Sequence, residues 1–371
     1  MLESVALVNF KAFDDVELPF GMLTLLSGLN GTGKSSVLQA LGLLRQSFDM
    51  GGLSNGELVL NGPLVEIGTG SDLLHHDFDK RVVQIGLGVT AENTTRFLHW
   101  IAETPSDADV LHSSQAPDAF LDEPTGLFAR GFQFLRADRI TPSVTFPKSQ
   151  HAVGHERFLG ARGEYTAHFL LKFGQELSVP QSRCHPDHGD ARSLLSQVNA
   201  WLQEFSPGVR VEPEGVPMTD LVRLAYSYRG KGAAYGNALR PTNVGFGLTH
   251  VLPIITACLA AEPDTLVVVE NPEAQIHPRG QAVLGRLLAL AAAGGAQVVL
   301  ETHSDHVLNG IRILVKEGHL NAADAKLHFF SRTPGSATKY ETPVLSEDGR
   351  LSFWPVGFFD QWERNLDQLL S

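Results

Sequence analysis

Near the start of the chain, Gly28-Leu29-Asn30-Gly31-Thr32-Gly33-Lys34-Ser35 sets three glycines, a lysine and a hydroxyl at the spacing that wraps a polyphosphate. Glycines at 28, 31 and 33 let backbone N–H groups turn inward around phosphate oxygens, and a helix starting at Lys34 aims its positive end at the same point. Lys34 then reaches the β- and γ-phosphates while the Ser35 hydroxyl serves Mg²⁺. Asn30, Gly31, Thr32, Gly33, Lys34, Ser35 and Ser36 form the expected contact set for ATP.

A magnesium-bound nucleotide also needs a carboxylate at a strand end. Leu266-Val267-Val268-Val269-Glu270 is an apolar run that closes in one, so Glu270 is expected to hold Mg²⁺ directly or through water. Val298-Val299-Leu300-Glu301-Thr302-His303-Ser304 places an imidazole at the end of the next strand, where His303 would donate to the γ-phosphate and sense its loss. Gly245 and Gly247, just before a long apolar helix, make an anion-accepting corner.

Other clusters read as ordinary surface. Cys184-His185-Pro186-Asp187-His188 offers three zinc-type ligands, but at a spacing that fits no common four-ligand site. His75-His76-Asp77 and His151 to His155 read as solvated loop residues. No Gly-x-Ser-x-Gly elbow supports a serine hydrolase. Arg136, Arg139, Lys148, Arg157 and Arg162, interleaved with Phe134, Phe146, Phe158 and Tyr165, form a basic stretch that could touch nucleic acid, nucleotide phosphates or an acidic partner.

The elements that must position these groups follow from periodicity. Strands are expected at 2–10, 16–20 and 22–26, then a helix over 34–46. The middle holds strand-like pieces at 82–89 and 132–135 and helices at 164–173 and 194–205, with loops at 104–117, 142–154 and 182–190. From residue 244 onward helix and strand alternate: 247–261, 265–270, 278–293, 297–301, 305–317 and 327–331. This implies a parallel sheet. A polar hairpin-like stretch and an amphipathic helix at 360–370 close the chain.

Composition sets the bounds. The 371 residues are 43% hydrophobic and 19% charged, as in a folded globular protein, and long enough for an elaborated domain or two lobes. The net charge of −12 means that any nucleic-acid contact must come from a local patch. Cys184 and Cys258, far apart in sequence, read as free thiols. No signal peptide and no membrane span is apparent, so a cytoplasmic location is expected.

The order of these motifs resembles ABC-type ATPase heads, and within them the SMC, RecF and OLD-like group. Asn9-Phe10-Lys11-Ala12-Phe13 looks like that group's opening strand, and the resemblance implies that Lys11 approaches the nucleotide. Over nearly the whole chain the sequence is similar to bacterial OLD-like AAA ATPases with a short C-terminal domain of unknown function. Leu60-Asn61-Gly62-Pro63-Leu64-Val65, Ala137-Asp138-Arg139-Ile140, Arg162-Gly163-Glu164-Tyr165, Glu270-Asn271-Pro272-Glu273 and Trp354-Pro355-Val356-Gly357-Phe358-Phe359-Asp360 carry the likeness.

The resemblance implies a P-loop NTPase of α/β class: an ABC-type head with a mixed sheet, an N-terminal antiparallel β-subdomain and an inserted α/β lobe, without coiled-coil arms. The expected divisions are 1–92 with the phosphate loop, 93–240 as the insertion, 241–320 with the remaining motifs, and 321–371 as the family-specific segment. It further implies a homodimer that sandwiches ATP, with Gly245 and Gly247 of one chain on the γ-phosphate held by Lys34 of the other. A separate effector, a nuclease or toxin, would read the switch, in keeping with the anti-phage association of related ATPases. Where many such heads carry a catalytic glutamate this chain has Asn271, which implies slow hydrolysis and passes the water-polarising role to Glu273. The segment after His303 is too short for the nuclease domain of OLD nucleases. A RecF-like DNA-repair ATPase and an ATP-gated scaffold without turnover are the alternatives.

Overall fold

A computed structural model describes the chain except residues 77–80, 92–93, 116, 118–125, 231–233, 334–336, 360 and 371, and gives only the backbone of 91 and 361–364. Asp77 and Asp360, named above, lie outside the described residues. Strands β1 (Leu2–Phe10), β2 (Phe13–Pro19) and β3 (Leu23–Gly28) lead into helix α1 (Lys34–Asp49). There follow β4 (Glu57–Val59), the short α2 (Gly70–Leu73), β5 (Val82–Ala91), β6 (Thr94–Glu103) and β7 (Val110–Gln115). The middle holds β8 (Gln133–Leu135), β9 (Phe146–Pro147), α3 (Thr166–Phe173), α4 (Leu194–Leu202), β10 (Val209–Gly215) and β11 (Leu221–Tyr228). Then come α5 (Phe246–Ala260), β12 (Leu266–Glu270), α6 (Pro278–Ala293), β13 (Gln297–Glu301), α7 (Asp305–Lys316), β14 (Ala325–Ser331), β15 (Lys339–Glu341) and α8 (Gln361–Leu370).

Two compact units result. The first comprises Met1–Ala129, Val299–His303 and Ala322–Ser371; the second comprises Arg130–Val298 and Ser304–Asn321. In the first unit a six-stranded antiparallel sheet runs β2-β1-β5-β6-β7-β4. β6 and β7, which follow the expected boundary in sequence, pair in this same sheet through β5. Leu98, Trp100 and Ala102 alternate inward and carry that pairing. The stretch 104–117, expected as loop, contains β7, which buries only Leu111 and whose polar Ser113 bonds the Ile101 backbone.

Also in the first unit, β14 lies parallel to β3 and antiparallel to β15. The Thr302 N–H donates to the Leu26 carbonyl at 3.0 Å, which ties the end of β13 to β3. α1 buries Val37, Leu38, Leu41 and Leu44, a helical stripe that removes apolar surface from water at about 1.5–3 kcal/mol per large side chain.

In the second unit β12 lies parallel to β8, and the Gln297 N–H at the start of β13 donates to the carbonyl of Thr265, the residue just before β12. Leu266 to Val269 are fully buried, which explains an apolar run without alternation. Helices α5, α6 and α7 follow the expected alternation with strands. The second unit also holds helices α3 and α4 and a small sheet, β10-β11-β9, in which Val222, Leu224 and Tyr226 alternate inward.

Candidate functional site

The phosphate loop has the conformation its glycines were chosen for. After the buried strand β3, Gly31 and Gly33 take φ of 76° and 97°, a left-handed region that L side chains enter only at a cost, and α1 begins at Lys34. At Gly33 space imposes the same choice: an added Cβ would lie 2.7 Å from the Phe13 ring and 2.9 Å from the Ala12 Cβ. Those atoms belong to the tight turn between β1 and β2. Phe10 pairs with Phe13, Lys11 and Ala12 make the turn, and Lys11 itself takes φ 50°. The structure thus seats the turn bearing Lys11 against the loop, with the Lys11 ammonium's pKa lowered by partial burial against the countering charge of Asp72.

Within the loop, the Thr32 hydroxyl and the Lys34 ammonium both donate to the Leu29 carbonyl, at 2.7 and 2.9 Å. Lys34 is buried and Ser35 exposed; Ser36 is buried on the first turn of α1. The carboxylate against them is Glu301, at the end of β13. The Ser35 hydroxyl donates to its two oxygens at 2.9 and 3.2 Å, and Lys34 Nζ stands 3.7 Å from Oε1. Glu301 is only 5% exposed. Burial lowers the Lys34 pKa, and Glu301 opposes that shift. Sequence reasoning missed Glu301, although its signal, a carboxylate closing an apolar strand, is the one used for Glu270.

His303 is exposed at the end of the same segment, immediately before Ser304, whose hydroxyl caps α7 by accepting from the Val307 N–H at 3.1 Å.

In the second unit the end of β12 is held by a residue the sequence placed in a generic basic stretch. Arg139 is 2% exposed; it donates to the carbonyls of Arg136, Glu270 and Asn271 at 3.0, 2.7 and 2.7 Å. Burial lowers its pKa to about 10, against the raising influence of Glu273, Glu270 and Asp138. The Glu270 carboxylate accepts from the Ala137 N–H at 3.0 Å. Asn271 follows at φ 42°, and Glu273 sits half-buried in the turn after it. Arg139 Nε, Asn271 Oδ1 and His250 Nδ1 are buried without hydrogen-bond partners, as are other buried polar atoms such as Tyr226 Oη, at a cost of about 1–3 kcal/mol each.

The remaining basic residues are engaged locally: Arg136 and Arg162 with Asp138, Arg157 with Glu262, and Lys148 with the Thr219 carbonyl.

The two signature glycines differ. Gly245, exposed at the N-terminus of α5, has nothing within 4 Å of its missing Cβ. Gly247 packs so closely on the Gln275 carbonyl that a Cβ would stand 2.5 Å from its oxygen. Both line a cleft of about 390 Å³ with Phe205, Tyr228, Gln275 and His277.

His75, expected in a solvated loop, is buried; its N–H donates to the Asn9 side chain and its ring packs on His76. In the Cys184 cluster both His185 ring nitrogens are used, Nδ1 accepting from the Asp187 N–H and Nε2 meeting Glu204.

Comparison with known proteins gives the family and the fold. Residues 23–309 match the family model described as "AAA domain, putative AbiEii toxin, Type IV TA system", and residues 320–369 match a model of a protein of unknown function, DUF3696. No curated protein matches the chain. Among solved structures, an SMC head bound to the C-winged helix domain of ScpA aligns with a TM-score of 0.56 at 13% identity, over 93% of this chain and 98% of that one. An Smc head domain with an extended coiled coil, bound to the C-terminal domain of ScpA derived from Pyrococcus furiosus, aligns with a TM-score of 0.51 at 12% identity, over 100% and 99%. The fold is that of an SMC head-like P-loop ATPase with mixed sheets, and among the described residues no helix exceeds 16 residues, so none forms a coiled-coil arm.

Proposed function

The chain belongs to the AAA-domain family whose model covers residues 23–309, a family of nucleotide-dependent ATPases, and from that premise we propose an ATP-hydrolysing switch that pairs with a second copy around ATP. The observation that carries this reading is the phosphate loop, with Gly31 and Gly33 turned to expose backbone donors and Lys34 and Ser35 set against a carboxylate. Backbone N–H groups at the start of α1, together with Lys34, would take the phosphates. Mg²⁺ fits the donors present in the first unit, since Ser35 and Glu301 offer oxygen alone, and magnesium in nucleotide sites takes one or two protein oxygens with the phosphates; Glu270 is proposed as a further oxygen donor to it. Bound there, it would supply charge neutralisation to the transferring phosphoryl group.

Glu273 is proposed to polarise the attacking water, held in place by the Arg139-braced end of β12, and His303 to contact the γ-phosphate. Lys11, on the turn against Gly33, would approach the nucleotide. Gly245, exposed and unobstructed, is the proposed contact to the γ-phosphate of the second copy; Gly247 supports it from within its own chain. Closure would present a surface to a separate effector, a nuclease or toxin, and the family's toxin–antitoxin description is in keeping with an anti-phage role. That partner is proposed to be a protein, as the related SMC head is bound to a domain of ScpA. Among the described residues no helix is long and apolar enough to cross a membrane, and a cytoplasmic location is proposed.

Sedimentation of the Glu273→Gln variant tests this reading. With ATP and Mg²⁺ the particle should double in mass and return to a monomer when Lys34→Ala is added. A particle whose mass ignores ATP while ATP is bound would refute the sandwich.

A further inference from the structure

We propose that Glu301 makes nucleotide binding by this chain conditional on a divalent cation, an inference that rests on the ATP-binding reading above. Its carboxylate occupies the ground that a polyphosphate needs. Oε1 stands 3.7 Å from Lys34 Nζ, and both oxygens accept from Ser35. It cannot readily withdraw, because the next residue, Thr302, is buried and hydrogen-bonded to β3 at Leu26. Nor can Lys34 easily serve two anions at once: it is buried, and it already donates to Leu29.

A triphosphate brought to Lys34 without a cation would therefore face a fixed, buried negative charge with little water to screen it. A divalent cation on the Ser35 hydroxyl reverses the sign of that encounter. Glu301 and Ser35 would then hold the ion, directly or through water, and the ion would offset the charge of both the carboxylate and the phosphate. The same side chain opposes bare ATP and favours Mg–ATP. A purely structural salt bridge to Lys34 would lack this dependence on the cation.

The experiment is an equilibrium titration with a fluorescent ATP analogue, in Mg²⁺ and in EDTA, on the full chain and on Glu301→Gln, Glu301→Asp and Ser35→Ala. Glu301→Gln keeps the shape and removes the charge. It should bind about tenfold or more tightly than wild type in EDTA and about tenfold more weakly in Mg²⁺, so that the cation preference collapses. Glu301→Asp should keep the preference, and Ser35→Ala, which removes the hydroxyl proposed to hold the cation, should gain little on going from EDTA to Mg²⁺. Circular dichroism confirms that each variant is folded, and if Glu301→Gln is not, the other two variants still decide. An unchanged Mg²⁺-to-EDTA ratio in Glu301→Gln, or a lost preference in Glu301→Asp, overturns the inference while ATP binding stands. Failure of wild type to bind in either buffer overturns both.

Discussion

Replacing Arg139 with methionine should both destabilise the protein and slow its chemistry. Methionine fills much of the space of the arginine stem but withdraws three charge-assisted donors from the carbonyls of Arg136, Glu270 and Asn271. Each such bond is worth about 1.5–3 kcal/mol, but part of that sum offsets the cost of having buried the guanidinium, so the net loss should be about 3–5 kcal/mol. At 2% exposure solvent screening removes little of this. Urea denaturation should show a lower midpoint at unchanged slope, and the melting temperature of the 371-residue chain should fall by about 4–6 °C. Because the lost bonds fix the backbone at Glu270 and Asn271, kcat should drop by about a hundredfold with little change in KM, as expected when a reacting group is displaced by about 1 Å. Arg139→Lys keeps the charge without the planar fork and should fall between. A methionine variant within about 1 kcal/mol of wild type, with kcat within about twofold, would refute the bracing role.

The two glycines of the signature should behave oppositely. Gly247→Ala places a Cβ 2.5 Å from the Gln275 carbonyl oxygen and should lower the melting temperature measurably, whereas Gly245→Asp enters open space at an ordinary φ of −58° and should leave it unchanged or raise it by capping α5. In sedimentation, Gly245→Asp should nevertheless abolish ATP-driven pairing, because its charge would oppose the γ-phosphate. Acid should weaken the first unit through His328, which is fully buried, donates from Nε2 to the Pro19 carbonyl and accepts at Nδ1 from Thr342. Burial lowers its pKa from 6.5 to about 4. The unfolded chain therefore takes up the proton first: the contribution is complete above pH 6.5 and fades as pH falls toward 4, by about 3 kcal/mol in all. Thermal melts from pH 7 to 4.5 should show a shallower decline in His328→Gln than in wild type.

The parts of this molecule that were legible in sequence are those fixed by local rules. The bounds of α6 and β13 match the expectation residue for residue, because a proline start, helical leucines and a short β-branched run each specify one element. The phosphate loop was legible because its glycines have no cheap substitute. β6 and β7 were missed because their buried residues are few and their polar ones point outward, while β10 and β11 carried a plain alternation that was passed over. Glu301 and Arg139 depended on tertiary placement: the first meets Ser35 across 266 positions of sequence, the second meets Asn271 across 132. Neither spacing means anything until the strands are paired.

The most direct test of the central claim is phosphate release from ATP by the wild-type chain beside Lys34→Ala, in Mg²⁺. Slow but clear turnover in wild type, abolished in the variant, is the predicted result. Release no greater in wild type than in Lys34→Ala would contradict the assignment of an ATPase and leave a phosphate loop that binds without hydrolysing.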